Sequence, residues 1–155
     1  SIYNAAAGLR SKDTGNRLTF GYRDKGIRIG ADAATLNYTE TSTQANGFKS
    51  HKFNTWQVTG EYDLNSQITL AAQVANNGAG NCTLNGAISC STVGLGGDLV
   101  GFGMKYVLDR NFSVFALAAK GTANSGAVLS LGSNAGKTAI GGTINAVAVG
   151  INARF

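Results

Sequence analysis

Thr55-Trp56-Gln57-Val58-Thr59-Gly60-Glu61-Tyr62 alternates from end to end: Trp, Val, Gly and Tyr take the even positions, and Thr, Gln, Thr and Glu the odd ones. An extended chain sends these two sets to opposite faces of a sheet, whereas a helix would mix them around its circumference. Arg17-Leu18-Thr19-Phe20-Gly21-Tyr22-Arg23 behaves the same way, with Leu18, Phe20 and Tyr22 on one side. Helical periodicity is weak throughout, so the chain reads as all-β.

Extending the alternation outward predicts eight strands, over residues 2–10, 17–24, 27–38, 53–63, 67–76, 98–108, 111–120 and 143–155. Most approach the ~9–11 residues that a tilted strand needs to cross a bilayer. The connections between them are short (11–16), very short (24–26), long (39–52), very short (63–66), long (77–97), very short (108–111) and long (121–142). From the second onward they alternate between tight and long, as do the turns and loops on the two sides of a transmembrane barrel. Tyr62-Asp63-Leu64-Asn65-Ser66-Gln67-Ile68 recurs 44 residues later as Tyr106-Val107-Leu108-Asp109-Arg110-Asn111-Phe112. That period holds two strands, so the repeating unit is a hairpin and not a propeller blade.

Composition removes other classes. The chain has 155 residues, no Pro, 22 Gly, 43% apolar and 14% charged residues, and a net charge of +5. Disordered chains are richer in charge and poorer in aromatics. No stretch approaches the ~20 consecutive apolar residues of a spanning helix, and the glycines lack the period of collagen. A first residue Ser1, with no basic-then-apolar leader, reads as a processed chain or a fragment. Cys82 and Cys90 lie in a polar, Gly/Asn-rich stretch with no second pair or histidine to complete a zinc site. A loop disulfide is the expected state and two free thiols the alternative.

The charges obey the alternation. Arg10, Arg17, Arg23, Arg28, Asp32, Glu61, Lys105 and Arg154 all take the phase opposite to the large apolar residues, while Asp24, Asp98 and Lys120 share the apolar phase only at strand ends. A lipid-facing Arg or Lys near the midplane costs about 2–4 kcal/mol, so a barrel should place them inward. The expected lipid face runs through Leu18, Phe20, Tyr22, Ile27, Ile29, Trp56, Val58, Tyr62, Ile68, Leu70, Val74, Val100, Phe102, Met104, Tyr106, Phe112, Val114, Val147, Val149, Ile151 and Phe155. Tyr22, Tyr62, Tyr106, Phe112 and Phe155 would gather at one rim as an aromatic girdle. The strand at 111–120 fits least well, because Phe115 and Leu117 fall on its inner phase. A soluble two-sheet protein with an aromatic core is the competing reading.

Apparent motifs carry little chemistry. Gly132-Ser133-Asn134-Ala135-Gly136-Lys137-Thr138 is one residue short of a phosphate-binding loop, and Ile140-Gly141-Gly142 would break the helix such a loop requires. Gly94 to Gly103 lacks dinucleotide-site spacing. His51, the only histidine, sits in a basic stretch expected to be a solvated loop. Asp32 and Glu61 are expected in ion pairs with nearby arginines, not in acid–base catalysis. No nucleic-acid-binding motif, metal site or cofactor site is expected, and the protein reads as a non-enzyme.

Two segments resemble a known family, the general diffusion porins of Gram-negative outer membranes, most closely those of betaproteobacterial type. Gly103-Met104-Lys105-Tyr106-Val107-Leu108-Asp109-Arg110-Asn111-Phe112-Ser113 is similar to that family's strand–turn–strand hairpin. Val147-Ala148-Val149-Gly150-Ile151-Asn152-Ala153-Arg154-Phe155 is similar to its last strand, whose terminal Phe is the signal for the barrel assembly machinery. The resemblance implies a sixteen-stranded, trimeric barrel in the outer membrane, of which this chain would be the C-terminal half. The expected function is passive diffusion of small hydrophilic solutes. Anion preference is expected from the inner-phase cations Arg10, Arg17, Arg23, Arg28, Lys105 and Arg154 against Asp32 and Glu61. The alternative is a complete eight-stranded barrel with a structural, adhesion or small-ligand role, which the many Gly and Ala on the inner phase would fill poorly.

Overall fold

The computed structural model describes residues 11–41, 47–128 and 139–154. They form one antiparallel sheet of nine strands: β1 (Ser11–Asp24), β2 (Ile27–Glu40), β3 (Phe48–Asp63), β4 (Ile68–Asn77), β5 (Asn81–Leu84), β6 (Ser89–Cys90), β7 (Gly97–Val107), β8 (Phe112–Ala123) and β9 (Thr143–Ala153). Seven pair in the order β1-β2-β3-β4-β7-β8-β9, and β5 and β6 branch from β3. The sheet is open, with β1 and β9 at its edges, so a closed barrel is not seen. The expected strand at 2–10, Arg10, the Gly132–Thr138 stretch and Phe155 lie outside the described residues.

Three expectations are corrected. Residues 11–16 are strand, not a connection, and pair with the far end of β2 from Ser11↔Glu40 to Asn16↔Thr35. β3 begins at Phe48, five residues earlier than the alternation suggests. The long connection 77–97 contains the β5–β6 hairpin, which pairs with the upper part of β3 through Phe48↔Leu84 and His51↔Cys82. All three segments lie beyond the last apolar rung, where both faces can meet water and no alternation marks the strand.

The tight connections are built by local chemistry. Lys25 (φ 40°) and Gly26 (φ 84°) form a two-residue hairpin turn, whose twist matches that of the flanking strands. The 44-residue repeat is realised as one turn made twice. Asn65 Oδ1 accepts hydrogen bonds from the backbone N–H groups of Gln67 and Ile68, both at 2.8 Å. Asp109 Oδ1 accepts the equivalent bonds from Asn111 (2.7 Å) and Phe112 (2.9 Å). Each side chain closes its turn by replacing a backbone acceptor.

The sheet is a single layer with almost no core. Ala123 is the one buried apolar residue among those described, whereas Leu18, Val147, Val149 and Ile151 are each at least 70% exposed. Asn65→Ala should destabilise the protein by about 1 kcal/mol, the net worth of an ordinary hydrogen bond. Asn65→Asp should be nearly neutral, because Asp109 already performs the same task; denaturant titration of the refolded protein checks both.

Candidate pore-lining face

The pairing register decides which side chains share a face. Ile29↔Gly60↔Ala72↔Phe102↔Ala118↔Val147 is one unbroken row across β2, β3, β4, β7, β8 and β9. Side chains two residues apart along each strand join the same face, so every described member of the expected lipid face lies on one side of the sheet. Arg17, Arg23, Arg28, Asp32, Glu61 and Lys105 lie on the other. Arg154 follows β9 in that same phase, and its N–H bonds the Asn111 carbonyl at 2.9 Å.

The apolar face forms a belt four rungs deep. It runs from Ile27 to Ala33 on β2, Tyr62 to Trp56 on β3, Ile68 to Val74 on β4, Tyr106 to Val100 on β7, Phe112 to Ala118 on β8 and Ala153 to Val147 on β9. Beyond it stand Thr35, Asn54, Asn76, Asp98, Lys120 and Asn145. The belt does not follow the hydrogen-bonded rows. The shared row is the second rung from the tight-turn edge on β2 and the fourth on β9, a drift of two rungs over five pairings. With ~3.3 Å per residue and ~4.8 Å between strands, the strands tilt about 30° from the normal to the belt. Transmembrane barrel strands tilt by a similar ~35–45°.

The opposite face is polar along β1–β4. Asp32 accepts from Arg17 Nε (2.8 Å), Thr19 Oγ1 (2.6 Å) and Gln57 Nε2 (2.9 Å), and Gln73 Nε2 reaches Gln57 Oε1 at 3.4 Å. Nearer the tight turns, Arg28 donates from Nε to Glu61 (2.7 Å) and from Nη1 and Nη2 to both oxygens of Asp63 (2.9 and 2.7 Å). Thr69 Oγ1 also donates to Asp63, at 2.7 Å. The planar guanidinium fork lets one cation hold two carboxylates, which an ammonium could not do with the same geometry. Asp32 and Glu61 therefore each bind an arginine, as expected, and are not brought to one another.

Asp63 escaped the sequence reading, although carrying the alternation one step from Glu61 into the turn would have found it. Its presence adds a third carboxylate opposite the apolar belt. Arg23, Lys105 and Arg154 have no ion-pair partner among the described residues. His51 also moves: it lies within β3, not in a loop, with Nε2 2.9 Å from the Ala79 carbonyl and its ring centroid 5.2 Å from that of Phe53. Cys82 and Cys90 form the expected disulfide across the β5–β6 hairpin, with Cα atoms 5.0 Å apart.

Along β7–β9 this face is mostly apolar, with Lys105, Ser113 and Asn152 its polar positions near the tight turns. Phe115 lies over Gly150 and Leu117 over Gly103: an added methyl would lie 2.6 Å from Phe115 Cε1 and 2.7 Å from Leu117 Cδ2, respectively. The glycines make room for the two bulky inner-phase residues that fit the alternation least well. No protein-family profile matches the chain, and no curated protein matches it.

Gly150→Ala should cost about 1–3 kcal/mol by overpacking against the Phe115 ring. Phe115→Ala in the same chain should recover much of that loss, and a double-mutant cycle by denaturant titration measures the coupling.

Proposed function

We propose that the chain forms part of an outer-membrane β-barrel porin, whose polar face lines a water-filled path for small hydrophilic solutes. The observation that carries this reading is the single-layer sheet with one continuous apolar belt and an ion-paired face behind it. An exposed apolar surface of this extent needs an apolar medium or partner to cover it. A belt of even depth crossing tilted strands fits a bilayer. Among the described residues the sheet ends at β1 and β9, in keeping with half of a sixteen-stranded barrel whose further strands would close the wall. Three such barrels would form the trimer.

Anion preference would rest on Arg23, Lys105 and Arg154. Arg17 and Arg28 are already engaged by Asp32, Glu61 and Asp63. The preference is therefore weaker than a count of inner-phase cations suggests. In planar bilayers under a salt gradient, the channel should give an anion-selective reversal potential. Arg28→Ala should shift it toward cations by freeing two carboxylates, and Asp63→Ala should shift it toward anions. Cation selectivity in the parent protein would overturn the proposed preference, and absence of conductance from the folded protein would overturn the pore. The mass of the intact native polypeptide separates half-barrel from whole, since a sixteen-stranded chain would weigh roughly twice the 15.9 kDa of this one.

A further inference from the structure

The two rims of the apolar belt differ chemically. At the tight-turn rim the outward side chains include the aromatics Tyr22, Tyr62, Tyr106 and Phe112. At the opposite rim they are amides, hydroxyls, the carboxylate of Asp98 and the ammonium of Lys120. The belt is also dented at that second rim, where a groove of about 320 Å³ crosses β4 and β7. Trp56 and Lys120 bound it, Val74 and Val100 form its apolar floor, and Asp98 and Thr122 stand at its upper edge.

The groove straddles the boundary of the belt. Val74, Val100 and Trp56 occupy the last apolar rung of their strands, and Lys120 is the first polar position beyond Ala118 on β8. Val100 is the register partner of Lys120, so the apolar floor leads directly to the ammonium. Asp98 is the one carboxylate close by. It accepts a hydrogen bond from Asn76 Nδ2 at 2.8 Å and forms no ion pair with Lys120. Among the described residues Lys120 has no ion-pair partner, and it is exposed.

We propose that this groove binds an anionic lipid, with an acyl chain over Val74 and Val100, an indole flank at Trp56 and the lipid phosphate on Lys120. This rests on the membrane reading given above. A free anion would leave the apolar floor bare, and a zwitterionic lipid brings its own cation beside its phosphate; an anionic lipid offers an uncompensated phosphate to Lys120 and an acyl tail to the floor. Lys120 stands at the long-loop rim, so the preference belongs to the leaflet on that side.

Trp56 is the only tryptophan of the chain and reports on its own groove. The full protein is reconstituted in phosphatidylcholine vesicles containing an equal mole fraction of either phosphatidylglycerol or phosphatidylcholine brominated on its acyl chains. Quenching of Trp56 is isolated by subtracting the Trp56→Phe signal. The brominated anionic lipid should quench as if enriched about fivefold beside Trp56, the size expected of one lysine at an anionic surface. Lys120→Gln should abolish the enrichment, Lys120→Arg should keep it, and Lys12→Gln, on the distant β1, should leave it unchanged. Equal quenching by the two lipids, or enrichment that survives Lys120→Gln, would overturn the proposal. Displacement by inorganic phosphate alone would assign the groove to a free anion and overturn it as well. Quenching by neither lipid would instead defeat the membrane reading on which it rests.

Discussion

A slip of one residue between β1 and β2 or between β2 and β3 would move Arg17, Arg28, Asp32 or Glu61 onto the side that carries Val58 and Phe102. Pairing register is therefore the constraint on which the rest of the structure depends. It is held at the tight turns and, on β1–β3, by cross-strand ion pairs. The Lys25–Gly26 turn sets the pairing of β1 with β2, and Asn65 and Asp109 close the next two turns. Across β1–β3, Arg17–Asp32 and Arg28–Glu61 tie together residues that meet only in the observed register. These exposed ion pairs contribute little to stability, but they disfavour the slipped alternatives.

The same register links local pairing to the shape of the belt. Hydrogen-bonded rows and the apolar boundary cross the sheet at different angles, and the angle between them is the strand tilt. On the long-loop side, β1, β2 and β3 continue past the boundary, and β5 and β6 add to β3 there. In this extension Tyr38 stacks on Phe53 with ring centroids 5.7 Å apart, and the Cys82–Cys90 disulfide pins the added hairpin. The wall itself is divided. Side-chain hydrogen bonds cross β1–β4, whereas β7–β9 rely on glycine–aromatic and glycine–leucine contacts.

The sequence was most legible where the two faces meet different surroundings. Between Trp56 and Tyr62, or Val100 and Tyr106, alternation alone assigns each side chain to its face. It falls silent at Ser11–Asn16 and Phe48–Phe53, where polar residues occupy both phases. Those segments are strands because β2 and β5 offer partners, a long-range cause that local pattern does not carry. Asp63 was hidden by its turn-like neighbours, and the forked pairing of Arg28 depends on side-chain reach across β2 and β3. Phe115 and Leu117 depart from the pattern because Gly150 and Gly103 lie opposite them and leave room for their side chains.

The medium that covers the belt distinguishes a membrane wall from one half of a protein core. Nitroxide labels placed singly along Gly97–Val107 in the reconstituted protein would be relaxed by oxygen, which partitions into lipid, and by a water-soluble nickel chelate. Even positions from Val100 to Tyr106 should favour oxygen and odd positions from Leu99 to Lys105 the chelate, as two period-two waves of opposite phase. Even positions shielded from both reagents would show a protein-covered core and contradict the account.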